Sequence, residues 1–217
     1  MKDRKLTAAE MGRISPEEYR SRNASGTVVV LDNVRSAYNV GSAFRSADAF
    51  GAGRVYLCGI CAVPPSAEIH KTALGAEDAV PWRHFASTLE AVESLKAEGY
   101  TVVAVEQTEN SVKLDGAVRG VPPETRATLG TVRGGTVSNA NGGAERSEAV
   151  EGGSTPDRRK YAFIFGNEVE GVGQEVVDAC DFSLEIPQHG TKHSLNVSVT
   201  VGIVLFAFSA CLSVIGN

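Results

Sequence analysis

The sequence predicts an α/β fold in which helices cover both faces of one parallel sheet. Two observations lead to this prediction: short apolar runs rich in β-branched residues recur along the chain, and segments with helical apolar spacing separate them. Strands that alternate with helices form parallel sheets, because each crossover returns the chain to the same edge. The 217 residues suffice for one compact domain with a substantial core.

Five strands and two internal helices are predicted. The strands cover residues 27–31, 54–58, 101–105, 161–165 and 182–186. We expect Asn39 to be the N-cap of the first helix and Gly51 to stop it. Ser87 and Glu90 have the spacing of a capping box, which starts a second helix that ends at Gly99.

The C-terminal segment predicts a third, strongly apolar helix. Residues 194–217 carry no charge, and an apolar run of this length is long enough to span a bilayer as a tail anchor. Polar residues interrupt the run, and no basic flank follows it. We therefore expect no membrane contact, and a helix buried between its own sheet and a partner subunit.

Composition limits the class of protein. A net charge of −5 disfavours a protein that coats nucleic acid non-specifically, although residues 1–25 form a basic extension. The charged start lacks a signal-like apolar region, and the four cysteines suit a reducing compartment, so we expect a cytoplasmic protein. Residues 114–159 hold nine of the 23 glycines and no aromatic residue, which predicts a flexible insertion.

Three segments could carry chemistry. Residues 31–51 include an asparagine and an arginine, at 39 and 45, near a predicted helix start, where anions are favoured. Residues 163–172 run from an apolar strand into Gly-Asn-Glu-Val-Glu-Gly, at the sheet edge where α/β proteins bind ligands. Residues 186–199 lead through Ser194, Leu195 and Asn196 into the apolar helix. Each segment alone is also compatible with ordinary caps and turns.

In order and spacing, these segments resemble the three signature motifs of the SpoU (TrmH-like) group of SPOUT RNA methyltransferases. The resemblance runs from about residue 28 to 208, and segments 70–77 and 99–108 also fit it. It implies a methyltransferase domain formed by residues 26–113 and 160–217, a C-terminal deep trefoil knot, and a homodimer.

The resemblance also implies a bound cofactor, S-adenosylmethionine. Gly166, Ile186 and Leu195 would line the adenosyl pocket, with Glu106 or Gln107 closing one side. The remaining predicted cofactor contacts are Asn167, Gly171 and Gln188. No metal is expected.

The implied reaction is methyl transfer to a ribose 2′-hydroxyl of RNA. Arg45 matches the arginine of the group that is proposed to act as a base, with Asn39 positioning it. A guanidinium resists deprotonation, so a role in holding phosphate and stabilising oxyanion charge is at least as reasonable. Glu168, Ser194 and Asn196 match the remaining polar positions of the group.

The sequence says less about the RNA. We expect Arg35, Lys71, Arg83 and Lys192 to contact it, together with the basic extension. The resemblance is nearest to the branch that acts on transfer RNA, at a guanosine of the D-loop. Ribosomal RNA, or an RNA-binding relative without activity, are the alternatives.

Two further features have ordinary interpretations. Cys58 and Cys61 have CxxC spacing, but no second pair with zinc-like spacing accompanies them, so we expect buried core residues rather than a metal or redox site. Trp82, the only tryptophan, lies in a basic stretch. Packing is the expected role, and stacking on an RNA base is the alternative.

Overall fold

The computed structural model describes residues 3–7, 10–12, 14–23, 26–114 and 160–213, with side chains as far as residue 209. These residues form seven strands: β1 (Val28–Asp32), β2 (Arg54–Cys58), β3 (Trp82–Phe85), β4 (Thr101–Val105), β5 (Val112–Lys113), β6 (Tyr161–Phe165) and β7 (Phe182–Glu185). The same described residues form seven helices: α1 (Pro16–Asn23), α2 (Ala37–Ala49), α3 (Ala67–Ala73), α4 (Ala76–Ala79), α5 (Thr88–Ala97), α6 (Gln174–Ala179) and α7 (Val197–Ser213).

The strands form one sheet in the order β3-β2-β1-β6-β4-β7-β5, and every neighbouring pair is parallel. The prediction of a parallel sheet flanked by helices is therefore confirmed, whereas the knot stays a prediction. All five predicted strands are present, shifted by at most one residue at an end. Because all seven strands are parallel, their carboxyl ends lie at one edge, where ligands bind in open α/β sheets.

Side chains alternate between the two faces along the central strands, so a core forms on each face of the sheet. Val29 and Leu31 of β1 belong to the cluster that packs against α2 and α7. Val28 and Val30 belong to the opposite cluster, which packs against α5. Strands buried on both faces are continuous apolar runs, and for this reason β1 was recognisable from its sequence.

Helix α2 begins earlier than predicted. Ser36, not Asn39, is the N-cap: its Oγ accepts a hydrogen bond from the backbone N–H of Asn39 at 3.3 Å. The helix starts at Ala37, which places Asn39 in the first turn. The prediction for the other end is confirmed, since Gly51 has a left-handed backbone (φ +68°) directly after the C-cap Phe50.

Helix α7 is buried on the face toward the sheet, through Val201, Val204 and Leu205. On the chain by itself, its other face exposes Val199 and Phe206, which are 50% and 61% exposed. The prediction of burial is thus met on one face, and the second face is the one expected to meet a partner. Within the described ranges, no helix combines the length and apolarity that crossing a membrane requires.

The two CxxC cysteines lie in the core, as predicted. Cys58 and Cys61 are both buried, and the backbone N–H of Val34 donates to Sγ of Cys61 at 3.1 Å. Burial raises the pKa of Cys58 to about 12 and that of Cys61 to about 11. Both thiols therefore stay protonated at neutral pH.

Two predicted segments fall partly outside the description. Residues 115–159 of the predicted insertion lie outside the described residues, as do parts of the predicted basic extension. Within that extension, α1 is anchored to the core by Tyr19, whose hydroxyl donates to the carbonyls of Ala47 and Ala52 at 2.9 and 2.8 Å.

Helices α2 and α3 touch backbone to backbone at Gly41, which yields a first prediction. A Cβ at Gly41 would lie 2.3 Å from the carbonyl oxygen of Ile69, so Gly41→Ala should lower the free energy of unfolding by about 1–3 kcal/mol. Gly202 of α7 is the matched control, because its added Cβ would meet Oγ of Ser46 at an ordinary 3.6 Å. Urea unfolding checks both, and equal stability of the two variants would contradict the prediction.

Candidate active site

A cleft of about 510 Å³ opens at the carboxyl ends of β4, β6 and β7. It is formed by the residues after β4, a loop over residues 166–172 that follows β6, and a loop over residues 186–196 that follows β7. The structure brings all eight predicted cofactor contacts to this one cleft: Glu106, Gln107, Gly166, Asn167, Gly171, Ile186, Gln188 and Leu195. Their roles there stay predictions.

The 166–172 loop is a tight turn held by its own asparagine. The side-chain oxygen of Asn167 accepts the backbone N–H groups of Val169 and Glu170, both at 2.9 Å. The backbones of Asn167 and Gly171 also exchange two hydrogen bonds of 3.2 Å. A Cβ at Gly166 would lie 1.9 Å from the backbone carbon of Gly171, so only glycine permits this turn.

The three walls of the cleft are tied together by the residues after β4. Glu106 accepts the backbone N–H of Val172 at 3.0 Å, which holds the end of the 166–172 loop against β4. Gln107 donates from its side-chain nitrogen to the carbonyl of His193 at 2.8 Å, which holds the 186–196 loop. The cleft is thus pre-organised by side chains that also line it.

Three polar side chains from the three sequence motifs meet at the cleft. The side-chain nitrogen of Asn39, on α2, donates to Oε1 of Glu168 at 2.7 Å. The side-chain nitrogen of Asn196 donates to the oxygen of Asn39 at 3.2 Å. We call Asn39, Glu168 and Asn196 the amide–carboxylate cluster. Glu168 and Asn196 are 129 and 157 residues from Asn39 in sequence, so only the fold brings the three together.

Asn196 also starts helix α7. Its side-chain oxygen accepts the backbone N–H of Ser198 at 2.9 Å, and its carbonyl accepts the N–H of Thr200 at 3.0 Å. The sequence left open whether the polar residues before this helix are caps or orient a substrate. Asn196 caps the helix with its oxygen and joins the cluster with its nitrogen.

Among the described residues, no hydrogen bond joins the other two predicted catalytic residues to this cluster. Ser194 lines the cleft and is exposed. Arg45 is exposed on α2 and does not line the cleft of its own chain. Arg45 follows Asn39 by six positions on α2, which places it about 9 Å further along the helix axis and roughly 120° around it. The two side chains therefore leave the helix in different directions.

The four residues predicted to contact RNA are exposed but scattered. Lys192 belongs to the 186–196 loop, and Arg35 lies just before α2. Lys71 is on α3, with Nζ 5.7 Å from the ring centre of Tyr38. Arg83 lies on the edge strand β3, with its guanidinium over Phe85.

Sequence reasoning missed Asp32, which is buried at the carboxyl end of β1. Its carboxylate accepts hydrogen bonds from Oγ1 of Thr88 at 2.5 Å and from the side chain of Asn33 at 2.8 Å. The backbone N–H of Gly173 lies 3.5 Å from the same carboxylate, just beyond the 166–172 loop. An acidic residue that ends a run of four apolar ones was the signal available.

The electrostatics of the cleft favour a positively charged ligand. Glu106, Glu168, Glu170 and Glu185 line it, and His193 is the titratable base among the lining residues. A volume of about 510 Å³ is within the range of roughly 300–1,000 Å³ typical of small-molecule sites. The arrangement can therefore hold a cationic small molecule beside the amide–carboxylate cluster.

Comparison with known proteins shows what the chain is similar to. The model of the SpoU rRNA Methylase family matches residues 26–206. The 23S rRNA (guanosine-2′-O-)-methyltransferase RlmB of Nitrosomonas europaea is 31% identical over 179 residues, which are 82% of this chain and 54% of that protein. The chain thus spans about half the length of this relative.

Solved structures show the same fold. An rRNA methyltransferase from Sinorhizobium meliloti with bound AdoMet is 27% identical, with a TM-score of 0.63 over 92% of this chain and 62% of that one. A TrmH/SpoU tRNA modifying enzyme from A. aeolicus is 22% identical, with a TM-score of 0.62 over 93% of this chain and 86% of that one. With a family model that matches most of its length, the chain belongs to the SpoU rRNA methylase family.

Proposed function

We propose that this protein transfers a methyl group from S-adenosylmethionine to a ribose 2′-hydroxyl of RNA. The observation that carries the proposal is the amide–carboxylate cluster, in which all three motifs meet beside a cleft lined by carboxylates. The 31% identical relative is a guanosine-2′-O-methyltransferase, and the 27% identical structure binds AdoMet, which supports both the reaction and the cofactor.

The residues of the cleft fit S-adenosylmethionine. When bound, this cofactor supplies an electrophilic methyl group on a cationic sulfonium. The carboxylates of Glu106, Glu168 and Glu170 favour its positive charges. The tight turn at Gly166 brings backbone groups close to the ligand, and Ile186 and Leu195 offer apolar contacts to an adenine ring.

The remaining residues hold and orient the RNA. Glu168 and Asn196 fix the side-chain amide of Asn39, which positions the ribose next to the cleft. Arg45 holds the adjacent phosphate and stabilises negative charge that develops on the 2′-oxygen. Positioning of this kind lowers the activation barrier by on the order of 7–11 kcal/mol at best.

Arg45 reaches the site from a second copy of the chain. It does not line the cleft of its own chain, and α7 presents an uncharged face with Val199 and Phe206 exposed. A homodimer that covers this face would bury the apolar side chains and set one copy against the cleft of the other.

The same proposal includes the C-terminal knot, in which the 186–196 loop and α7 pass through the chain beside the 166–172 loop.

The RNA target has two candidates. Transfer RNA, at a guanosine of the D-loop, is favoured by the motif sequences and by fold neighbours that modify tRNA. Ribosomal RNA is favoured by the 31% identical relative, which acts on 23S rRNA. Incubation of the protein and S-adenosylmethionine with unmodified transcripts of each, followed by mapping of ribose methylation, separates them. Methylation of neither RNA, despite cofactor binding, would instead indicate an inactive RNA-binding relative.

The amide–carboxylate cluster leads to a prediction about how methyl-transfer activity depends on pH. Asn39→Asp sets a carboxylate against Glu168, so methyl transfer should fall about 10²-fold at neutral pH. Two adjacent carboxylates raise the pKa of one of them, and the shared proton restores a donor as the pH falls. The activity of Asn39→Asp relative to wild type should therefore rise toward acid pH. Asn39→Ala cannot regain a donor, and recovery of that control as well would refute the explanation.

A further inference from the structure

A second cavity, of about 610 Å³, lies beside the edge strand β3 and shares no lining residue with the cleft. It is lined by Pro64, Pro65, Ser66, Ala67, His70, Glu77, Asp78 and Trp82. Nothing in the proposed methyl transfer uses this cavity. We call it the Trp82 cavity.

The apolar part of the Trp82 cavity suits a flat ring. The indole of Trp82 is 38% exposed, and two consecutive prolines, Pro64 and Pro65, and the methyl group of Ala67 complete the apolar lining. An exposed tryptophan next to a cavity offers a stacking surface for an unpaired nucleobase.

The polar part accepts hydrogen bonds and carries negative charge. Glu77 is nearly buried, and each of its carboxylate oxygens already has a hydrogen-bond partner. Oε1 is 2.5 Å from Nδ1 of His70, and Oε2 accepts the backbone N–H of Gly75 at 3.0 Å. The side chain of Asp78 is exposed, and among the described residues no group donates a hydrogen bond to its carboxylate. The backbone carbonyl of Asp78 accepts a hydrogen bond from Arg20. Asp78 is therefore an available acceptor, and the two carboxylates oppose a phosphate at this place.

A base with neighbouring N–H donors fits this chemistry. Guanine presents two adjacent donors on its Watson–Crick edge, which a carboxylate with two acceptor oxygens can bind together. Uracil offers one N–H between two acceptors, so it would set an oxygen against Asp78. A cavity with this lining would favour guanine over uracil through hydrogen bonding.

Helix α3 connects the Trp82 cavity to the amide–carboxylate cluster. His70 lines the cavity, and the next residue, Lys71, places its ammonium 5.7 Å from the ring centre of Tyr38. Thr72 donates to the carbonyl of Tyr38 at 2.9 Å, directly before Asn39. An RNA strand that leaves the cluster along α3 would meet Lys71 with its phosphates before it reaches Trp82.

We propose that the Trp82 cavity binds an unpaired guanine base of the RNA substrate, outside the nucleotide that is methylated. The inference rests on the proposed function, since it assumes RNA as the substrate. It assigns to Trp82 the stacking surface and to Asp78 the acceptor that selects guanine.

The test uses Trp82 as its own reporter, because it is the only tryptophan of the chain. Indole emission is followed while the S-adenosylhomocysteine-saturated protein is titrated with a uridine pentanucleotide, with or without one central guanosine. We expect the guanosine to quench the emission and to tighten binding about 5- to 100-fold. Asp78→Asn should remove this preference, whereas Glu93→Gln, an exposed carboxylate on α5 across the sheet, should keep it.

Three outcomes would overturn the proposal: no quenching by either oligonucleotide, equal affinity for both, or quenching by an arginine-containing peptide but not by RNA. A second measurement reads the same site without fluorescence. Trp82→Ala should raise the KM for RNA about 5- to 100-fold with kcat and cofactor affinity unchanged, and Trp82→Phe should restore most of it. Cofactor binding and methyl transfer without guanosine-dependent quenching would refute this inference alone; absence of both activities would refute the proposed function.

Discussion

Replacement of Arg45 by alanine should lower kcat for methyl transfer about 10²- to 10³-fold, with the affinity for S-adenosylmethionine unchanged. Arg45 is exposed on α2 and lies outside the cleft of its own chain, so its loss leaves the walls of the cleft intact. Single-turnover methylation with saturating RNA gives the rate, and calorimetry with S-adenosylhomocysteine gives the affinity. Equal loss of both would show that Arg45 is structural.

Two variants sharpen this test. Arg45→Lys keeps the charge but loses the planar fork that binds phosphate through two parallel hydrogen bonds, so it should recover only a part of the rate. Mixing Arg45→Ala with Asn196→Ala tests whether the site combines two chains. If it does, exchange of subunits produces dimers with one intact site, and activity returns. A mixture as inactive as its components would place Arg45 and Asn196 in the same chain's site.

Gly166→Ala should strongly weaken cofactor binding. Its Cβ would lie 1.9 Å from the backbone of Gly171, and no side-chain movement relieves a clash with backbone. The 166–172 loop must open, which we expect to weaken S-adenosylmethionine binding at least about 100-fold and to cost about 1–3 kcal/mol of stability. Calorimetry with S-adenosylhomocysteine and thermal unfolding measure the two effects.

Gly173→Ala is the matched control for this loop. Gly173 follows the same turn, keeps its backbone N–H after substitution, and has open space where a Cβ would be added. It should bind the cofactor nearly as wild type does. If Gly166→Ala bound equally well, the tight turn would not be needed for the cleft.

The central sheet was predictable because its strands are buried on both faces. Burial of this kind leaves continuous apolar runs, and β1, β2, β4 and β6 each have one, whereas β7 alternates apolar and polar residues as Phe-Ser-Leu-Glu. Strand β3, with the sequence Trp-Arg-His-Phe, is exposed at three of four positions, and β5 has only two residues. These two edge strands are defined by their pairing with neighbours, which no local pattern contains.

The residues that line the cleft were predictable mainly through the family resemblance. Motif order identified the residues that line it, but the three-dimensional links between them were not in any motif. The hydrogen bond from Asn39 to Glu168 spans 129 residues, and the support that Asp32 gives to the segment after the 166–172 loop spans 141. The six-residue spacing on a helix does separate Arg45 from Asn39 by roughly 120° around α2, but it does not show which chain's site Arg45 serves.

In the proposed homodimer, Asn196 makes the activity of the site depend on protein concentration. Its side-chain oxygen caps α7, whose outer surface is apolar, and its side-chain nitrogen donates to Asn39. A partner copy that covers α7 would therefore also hold the amide–carboxylate cluster in place, and by linkage a bound cofactor would tighten the contact between the two copies. Specific activity should consequently fall on dilution, and the cofactor should delay that fall.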